Sequence, residues 1–234
     1  MSKNEGLSGL ARLSGLLVQE QDLVGVITAG IVEACGSVAA DAGGVLVQAA
    51  DDHLDVLAST SHRVADLEAY QAGAEHGPCV ESMREKRAVS VATADEANAR
   101  WPGFGDRMRV AGYKRVYAVP MVWQGVGVGG LNLFWTDPGT GSVDGVLLQT
   151  YADILTLAAV YVRPLSADDA AQHLQEALEE RGGIEQAKGV LAWQYDVDMA
   201  EAYFALLRIA EERSLTLGEA ADAVVERAVR GETV

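Results

Sequence analysis

Cysteine and histidine are the residue types through which this chain could carry nucleophilic or metal chemistry, and it has two cysteines and four histidines. Cys35 and Cys79 are too few for a disulfide framework or a four-thiolate zinc site. Cys79 follows Gly77-Pro78 at a predicted helix start, where a lowered thiol pKa would suit a redox sensor. We favour a buried, inert thiol instead, because free cysteine is among the most buried residue types.

The histidines share no i, i+3 or i, i+4 spacing that would bring two of them onto one helix face as metal ligands. No nucleophile with a suitable partner lies near them in sequence. The sequence therefore predicts no catalytic residue, no metal site and no cofactor. The four histidines are His53, His62, His76 and His173.

A glycine-rich run, Gly125–Gly130, superficially resembles a phosphate-binding loop. No Lys-Ser or Lys-Thr pair follows it, as a nucleotide-binding loop of that kind requires. We therefore interpret the run as a hairpin turn leading into a flat strand.

The 234-residue chain is acidic, with a net charge of −16. Up to residue 165 it has 12 basic and 19 acidic residues, and beyond that point it has 6 and 15. Neither segment is basic, which works against non-specific nucleic-acid binding, because contact with phosphate depends on clustered Lys and Arg. No apolar run reaches the roughly 18–20 residues of a membrane-spanning helix, and residues 1–5 are not a basic leader, so we expect a cytoplasmic protein with no membrane contact.

The first segment alternates β-rich runs and glycine turns with amphipathic helices, which predicts an α+β fold. The predicted helices are Leu7–Val18, Asp22–Cys35 with a stop at Gly36, Val64–Ala72, Cys79–Lys86, Trp101–Ala111 and Val143–Val162. The predicted strands are Gly43–Gln48, Leu54–Ser59, Val89–Ala92, Tyr113–Val122 and Val126–Trp135. The first two and the last two strands are expected to form hairpins.

The second segment begins at Pro164, after which proline is absent and Ala, Glu and Leu dominate. Three apolar stripes at helical spacing predict a bundle of three helices. Alanines within the stripes would let the helices approach closely. A domain of about 60 residues buries only a modest core, so we expect a homodimer to support it.

The order of elements in the first segment resembles a GAF domain from Asp22 to about Val162. Three short motifs add to this likeness: Gly77-Pro78-Cys79, Ala118-Val119-Pro120-Met121 and Gly129-Gly130-Leu131-Asn132-Leu133. The resemblance implies a central antiparallel sheet with helices on both faces and a pocket for a small ligand. We place this pocket between the sheet and the Cys79 helix. Its predicted lining is Cys79, Trp101, Tyr113, Tyr117 and Trp123.

The run Ile184-Glu185-Gln186-Ala187-Lys188-Gly189-Val190-Leu191 is the most specific motif in the chain, and it resembles the first helix of an ANTAR domain. Glu201-Ala202-Tyr203 resembles the second helix, and the stripe from Leu217 to Val225 resembles the third. The chain is thus similar to GAF–ANTAR regulators of transcription antitermination, whose ANTAR module binds hairpins in nascent RNA, generally as a dimer. The expected domains are an N-terminal helix at 1–21, a GAF-like sensor at 22–163 and an ANTAR-like three-helix domain at 164–234.

The ANTAR resemblance implies a set of RNA-binding residues: Arg181, Gln186, Lys188, Gly189, Arg208 and Arg213. Arg181 and Lys188 are seven residues apart, so we expect them on one helix face, with Arg208 on the next helix joining the same cationic patch. The chain departs from the family in the link 212–218, where only Arg213 is basic.

Two further features of the second segment have alternative interpretations. Trp193 and Tyr203 would be able to stack on splayed bases, but we favour core positions, since such aromatics are more often buried. Gly182-Gly183 falls where the family usually has helix-favouring residues, and a hinge or break is expected there.

The sequence as a whole predicts a non-enzymatic, signal-responsive regulator that binds RNA hairpins as a homodimer and responds to a small ligand or an upstream signalling partner. The alternative is a dimeric ligand- or protein-interaction module that has lost RNA binding, which the acidic composition would allow. A GAF-type enzyme such as a methionine sulfoxide reductase would need a set of reactive thiols, and two cysteines argue against it.

Overall fold

The structure is a computed structural model that describes residues 3–19, 22–49, 53–137, 139, 143–161 and 182–232. The chain divides into two compact units, Met1–Arg163 and Pro164–Val234. The helices of the first unit are α1 (Lys3–Gln19), α2 (Leu23–Val38), α3 (His62–Ala74), α4 (Pro78–Glu85), α5 (Ala94–Arg100), α6 (Phe104–Ala111) and α7 (Gly145–Tyr161). Its strands are β1 (Ala42–Gln48), β2 (Leu54–Ser59), β3 (Val89–Val91), β4 (Arg115–Trp123) and β5 (Val126–Trp135). In the second unit, residues 182–195 are helical (α8) and are followed by α9 (Met199–Arg213) and α10 (Leu217–Val229).

The five strands form one sheet in the order β2-β1-β5-β4-β3, and every neighbouring pair is antiparallel. This sheet, with helices on both faces, confirms the predicted α+β fold. Gln124 and Gly125 connect β4 to β5 with positive φ angles of 47° and 79°, the backbone that a two-residue hairpin turn requires. The glycine-rich run is therefore a turn and a strand, as its sequence context predicts.

Alternation along β4 divides the core of the first unit into two layers, because successive strand residues point to opposite faces. Val119 and Met121 pack with α2 and α7 on one face, and α1 contacts those two helices from outside. Val116 and Ala118 pack on the other face with residues from α3, α5 and α6, such as Phe104. Helix α4 lies on this second face as well, against β4 and β5.

Helix α5 was not predicted, and two of the helix boundaries that differ from the prediction have a clear physical cause. Helix α2 does not stop at Gly36 but continues to Val38, which is buried in the core, and Ala39 ends the helix in a left-handed conformation. Burial of Val38 outweighs the low helix propensity of one glycine, which costs about 1 kcal/mol. The predicted helix Trp101–Ala111 is also wrong at its start, because Trp101 is extended and Gly103 has a φ of 87°. The intervening Pro102 disfavours helical backbone at Trp101, so α5 ends before it and α6 begins after it.

The three helices of the second unit surround a small core of alanine, leucine and valine. Asp198 caps α9 by accepting hydrogen bonds from the amides of Ala200 and Glu201. Thr216 forms a capping box with Glu219 at the start of α10. Residues 182 and 183 are both helical, so the expected break does not fall at the glycine pair itself. The upstream part of the predicted first ANTAR-like helix lies outside the described residues.

A search of the described helices finds none whose length and hydropathy would allow it to cross a membrane. Within the same residues, no three His, Cys, Asp or Glu side chains converge in a way that would hold a metal ion.

Candidate functional site

The surface of the second unit carries large aromatic side chains that its core does not use. Trp193 is 83% exposed, Phe204 is 64% exposed and Tyr203 is 37% exposed. The predicted core positions of Trp193 and Tyr203 are therefore wrong. Alanines such as Ala187 and Ala202 fill the helix contacts, and the close approach that they permit leaves no space for indole or phenol rings inside.

Lys188 is the cation of the ANTAR-like motif, and it is not a free surface charge. Its ammonium donates to both carboxylate oxygens of Glu185 at 2.9 and 3.0 Å. The same ammonium lies 5.9 Å from the centroid of the Tyr203 ring, and only 17% of the side chain is exposed. Lys188 therefore links α8 to α9 in addition to any role in binding.

Those predicted RNA-binding residues that the structure describes do not form one face. Gln186 and Gly189 line a groove between α8 and α10, beside Trp193. Lys188 instead points to α9, because it lies about 160° around the helix from Gln186. Arg208 lines a second groove on α9, together with Phe204. Since Tyr203 and Arg208 are five positions apart, about 140° around α9, the single cationic patch that was predicted from Lys188 and Arg208 is not formed.

The remaining two predicted RNA-binding residues are Arg181 and Arg213. Arg181 is outside the described residues. Arg213 is exposed in the last turn of α9. Among the residues that the structure describes, Arg208 and Arg213 make no side-chain hydrogen bond or ion pair, so both are free to meet an anion.

Phe204 is a candidate that the sequence interpretation missed. It lies two positions after Ala202, which places it about 160° from the buried stripe of α9. This off-stripe position was readable from the sequence and predicts exposure. Phe204 and Tyr203 contact each other with ring centroids 6.3 Å apart, and so form an aromatic pair on the outside of the unit.

The first unit holds a buried polar cluster between the sheet and helices α3 and α4. Glu68 and Gln71 on α3 and Asn132 on β5 are all fully buried. One carboxylate oxygen of Glu68, Oε2, accepts from the Asn132 amide at 2.9 Å and from the Gln71 amide at 3.0 Å. The Gln71 carbonyl oxygen in turn accepts from the backbone amide of Cys79 at the start of α4. The cluster thus connects α3, the central strand and α4.

Burial controls the ionisation of this cluster. Desolvation raises the pKa of Glu68 to about 8, and the hydrogen bonds from Asn132 and Gln71 lower it only in part. Glu68 Oε1 and Asn132 Oδ1 are buried and have no hydrogen-bond partner among the described residues. Glu68 is therefore mainly protonated at neutral pH.

Glycines make room for this cluster at two points. A Cβ on Gly130 would lie 2.6 Å from the Cys79 sulfur, and a Cβ on Gly77 would lie 2.4 Å from the Gln71 carbonyl oxygen. Gly77 also has a φ of 143°, a backbone conformation that residues with a Cβ rarely adopt. The Gly-Pro-Cys motif is thus a packing motif around buried polar groups.

The two thiols have the environment of inert cysteines. Both Cys35 and Cys79 are buried and free. Burial raises the pKa of Cys35 to about 12 and raises the pKa of Cys79 well above its usual value, with the Glu68 carboxylate adding to the second shift. A redox nucleophile needs a lowered pKa and access to solvent, and neither thiol has them.

The five residues predicted to line the ligand pocket are not brought together. Cys79 packs against Leu46 and Met83, whereas Trp101 and Tyr113 belong to the separate core around Phe104. Tyr117 points to the opposite face of the sheet, and Trp123 lies at the end of β4. Tyr117 alternates with Val116 and Ala118 along β4, so it faces away from α4, whereas Tyr113 precedes the strand and does not follow this alternation.

A different cleft, of about 470 Å³, lies beside α4 where the two hairpins turn. Helix α4 contributes Val80, Met83 and Arg84 to it, and the β4–β5 hairpin contributes residues 125–127. None of the five predicted residues lines this cleft.

Comparison with protein families identifies an ANTAR domain at residues 172–225. This match covers the helices α8 and α9 and most of α10.

Comparison with solved structures identifies the fold of the first unit. The GAF domain of a phosphoenolpyruvate-protein phosphotransferase from Coxiella burnetii is 17% identical, with 70% of this chain and 97% of that chain covered and a TM-score of 0.53. The GAF domain of the Acinetobacter phosphoenolpyruvate-protein phosphotransferase is 14% identical, with 71% and 98% covered and a TM-score of 0.53. At these identities the likeness shows the fold. A comparison with curated proteins gives no match.

Proposed function

We propose that this chain, which has a GAF–ANTAR architecture, is a signal-responsive regulator of transcription antitermination whose ANTAR domain binds RNA hairpins. The observation that carries the proposal is the ANTAR domain at residues 172–225. The GAF unit is the sensor, and its signal controls the ANTAR domain. We place its action in the cytoplasm, with a second copy of the chain as its partner in a homodimer.

The exposed aromatic side chains support an RNA-binding mode that depends more on base stacking than on charge. Sequence-specific recognition of RNA targets unpaired bases in loops, which stack on aromatic side chains. Trp193 and the Tyr203–Phe204 pair offer such surfaces, and Arg208 stands in the same groove as Phe204. Stacking contributes about 1–3 kcal/mol per base, so binding can be specific although the second segment has only six basic residues.

The few available cations set the salt dependence of this binding. Within the described part of the chain, Arg208 and Arg213 are exposed and form no hydrogen bond or ion pair with an acid, whereas Lys188 is paired with Glu185. The affinity should therefore fall only weakly with salt, as expected when about two or three phosphates are neutralised.

A regulator without enzymatic activity fits the two buried thiols. A thiol-based GAF enzyme would need an accessible thiolate, and burial raises the pKa of both Cys35 and Cys79.

The second candidate function is a dimeric protein-interaction module that no longer binds RNA. The exposed apolar and aromatic side chains of α9 favour it, because an exposed patch of this kind also suits a protein interface. The segment's excess of acidic over basic residues favours it as well.

Crosslinking of the full chain in cells, followed by sequencing of the bound RNA, separates the two functions. The proposal predicts enriched hairpins for the wild type and their loss when Trp193 and Phe204 are both replaced by Ala. The matched control is Val229→Ala, which removes an apolar side chain that is 83% exposed on α10 and should keep the enrichment. Failure of the wild type to enrich hairpins would contradict RNA binding and favour the interaction module.

A further inference from the structure

The cleft beside α4 has the size and the wall of a small-molecule site. Its volume of about 470 Å³ lies within the range of roughly 300–1,000 Å³ in which proteins bind small ligands. Leu54, Val80, Met83 and Val126 give it an apolar wall. Val126 is 60% exposed although it is a large apolar residue at the start of a strand, so the cleft leaves apolar surface in water.

Arg84 and Lys86 place two cations at this apolar wall. Among the residues that the structure describes, neither makes a hydrogen bond or an ion pair. The neighbouring Arg87, by contrast, pairs with Glu85 and Glu81. In a chain with a net charge of −16, two neighbouring cations with no partner in the described part of the chain are unusual, because acidic side chains are in excess.

The described residues that line the cleft have a net positive charge. Among the described lining residues, Glu75 is the one carboxylate, against the two cations. His53 also lines the cleft and adds a polar group near its edge. A ligand that complements this lining carries a negative group and an apolar portion, because the negative group would meet the cations while the apolar portion covers Val80 and Met83.

We infer that this cleft binds a small organic anion, a carboxylate or phosphate group on an apolar body. The inference rests on the proposed sensor role of the GAF unit and names the ligand class and the place of binding. It replaces the predicted pocket around Cys79, whose surroundings are filled by the buried polar cluster.

A purely structural role for the two cations makes the opposite prediction. Arg84 lies in the last turn of α4 and Lys86 caps it, where positive charge is favourable because of the helix dipole. If that is their whole function, the cleft has no preference for anions.

Amide NMR spectra of the 15N-labelled full chain test the inference with three probes: hexanoate, hexylammonium and inorganic phosphate. Hexanoate should shift the amides of Gly125 and Gly127 in a saturable manner. Hexylammonium should not shift them, because it repels the cations, and inorganic phosphate should bind more weakly, because it lacks an apolar body. Equal shifts by hexylammonium or by inorganic phosphate, or no shift by hexanoate, would overturn the inference.

The variant with Arg84→Gln and Lys86→Asn should bind hexanoate about tenfold more weakly, since both cations are lost. Asn is chosen because Lys86 has a φ of 52° and Asn tolerates this left-handed conformation. The matched control is Lys114→Gln, an exposed cation outside the cleft lining, which should bind hexanoate as the wild type does. Unchanged affinity in the double variant would overturn the inference.

Crosslinking to RNA separates failure of this inference from failure of the proposed function. A chain that enriches hairpins but gives no hexanoate shift refutes the anion site and leaves the regulator proposal standing. A chain that binds hexanoate through Arg84 and Lys86 but enriches no RNA keeps the anion site and refutes the regulator proposal.

Discussion

Replacing the buried Glu68 by Gln should remove a pH dependence from the stability of the first unit. Gln keeps the shape of the side chain, and its carbonyl oxygen can accept from Asn132 and Gln71 as Glu68 Oε2 does. The variant differs from the wild type in that it cannot ionise. It therefore isolates the free energy of burying a titratable group between the sheet and α3.

The size of the effect follows from the pKa of Glu68, which burial raises from the usual 4.5 to about 8. At a pH between these two pKa values, Glu68 has lost its proton in the unfolded chain but keeps it in the folded unit. The free energy of unfolding therefore falls as the pH rises. The slope is about 1.4 kcal/mol per pH unit. Between about pH 5.5 and pH 7.5, the wild type should lose about 2–3 kcal/mol relative to Glu68→Gln.

Urea unfolding at the two pH values measures this difference by tryptophan fluorescence. In a Trp193→Phe background, the three remaining tryptophans all lie in the first unit, so the signal reports that unit alone. The control is Asp66→Asn, which removes an exposed carboxylate from the same helix and should keep the wild-type slope. Equal pH slopes for the wild type and Glu68→Gln would refute the reasoning that Glu68 stays protonated in the folded unit.

Three further changes test other contacts of the structure, and one measurement tests the assembly. Gly130→Ala should lower the free energy of unfolding by about 1–3 kcal/mol in a urea titration, because its Cβ would lie 2.6 Å from the Cys79 sulfur. The added substitution Cys79→Ala should recover part of this loss. Equal losses with and without Cys79→Ala would show that the clash is elsewhere. Thr216→Ala should lower the stability of the second unit by about 1 kcal/mol, because it removes the capping box, and thermal unfolding followed by circular dichroism would measure this. Arg208→Glu should weaken hairpin binding in an anisotropy titration more than Lys188→Glu does, because Lys188 is already paired with Glu185, and the reverse order would contradict the assignment of Arg208 as the free cation. Light scattering should give twice the 24.7 kDa of one chain at tens of micromolar, and a persistent monomer would refute the homodimer.

The fold of the first unit was predictable because its elements have strong periodic signals. Strand Leu54–Ser59 has the bounds that its β-rich run predicts, and the two hairpins follow from short links rich in turn residues. The boundary errors arise where tertiary packing or a neighbouring residue overrides local propensity. Burial of Val38 extends α2 past Gly36, and Pro102 keeps Trp101 out of the predicted helix, which begins only at Phe104.

The buried polar cluster could not be predicted from the sequence, because it depends on register and on helix packing. Glu68 and Asn132 are 64 positions apart, and their contact requires that β5 present Asn132 to the same face as Ala118 and Phe134. The predicted pocket failed in part for the same reason, since the face on which Tyr117 lies is fixed only when the register of β4 is known. Gly130, by contrast, was part of a GAF-like motif, and the structure gives its reason in the close approach of Cys79.

For the second unit, the sequence predicted the ANTAR motif but not which of its side chains lie on the surface. The motif around Lys188 indicates the ANTAR domain correctly, and the match at residues 172–225 confirms it. Because tryptophan is usually buried, the sequence predicts Trp193 in the core, but the helices pack too closely on alanines there to hold an indole ring. The apolar stripe of α9 does predict that Phe204 is exposed, because Phe204 lies on the opposite side of the helix.

Transcription in vitro through a terminator preceded by the hairpin that crosslinks most strongly tests the central claim most directly. The measured quantity is the fraction of transcripts that read through the terminator, with the full chain and with the variant in which Trp193 and Phe204 are replaced by Ala. The account predicts that the full chain increases read-through and that the variant, which keeps its fold because both side chains are exposed, does not. Read-through that is unchanged by the full chain, or increased equally by the variant, would contradict the account.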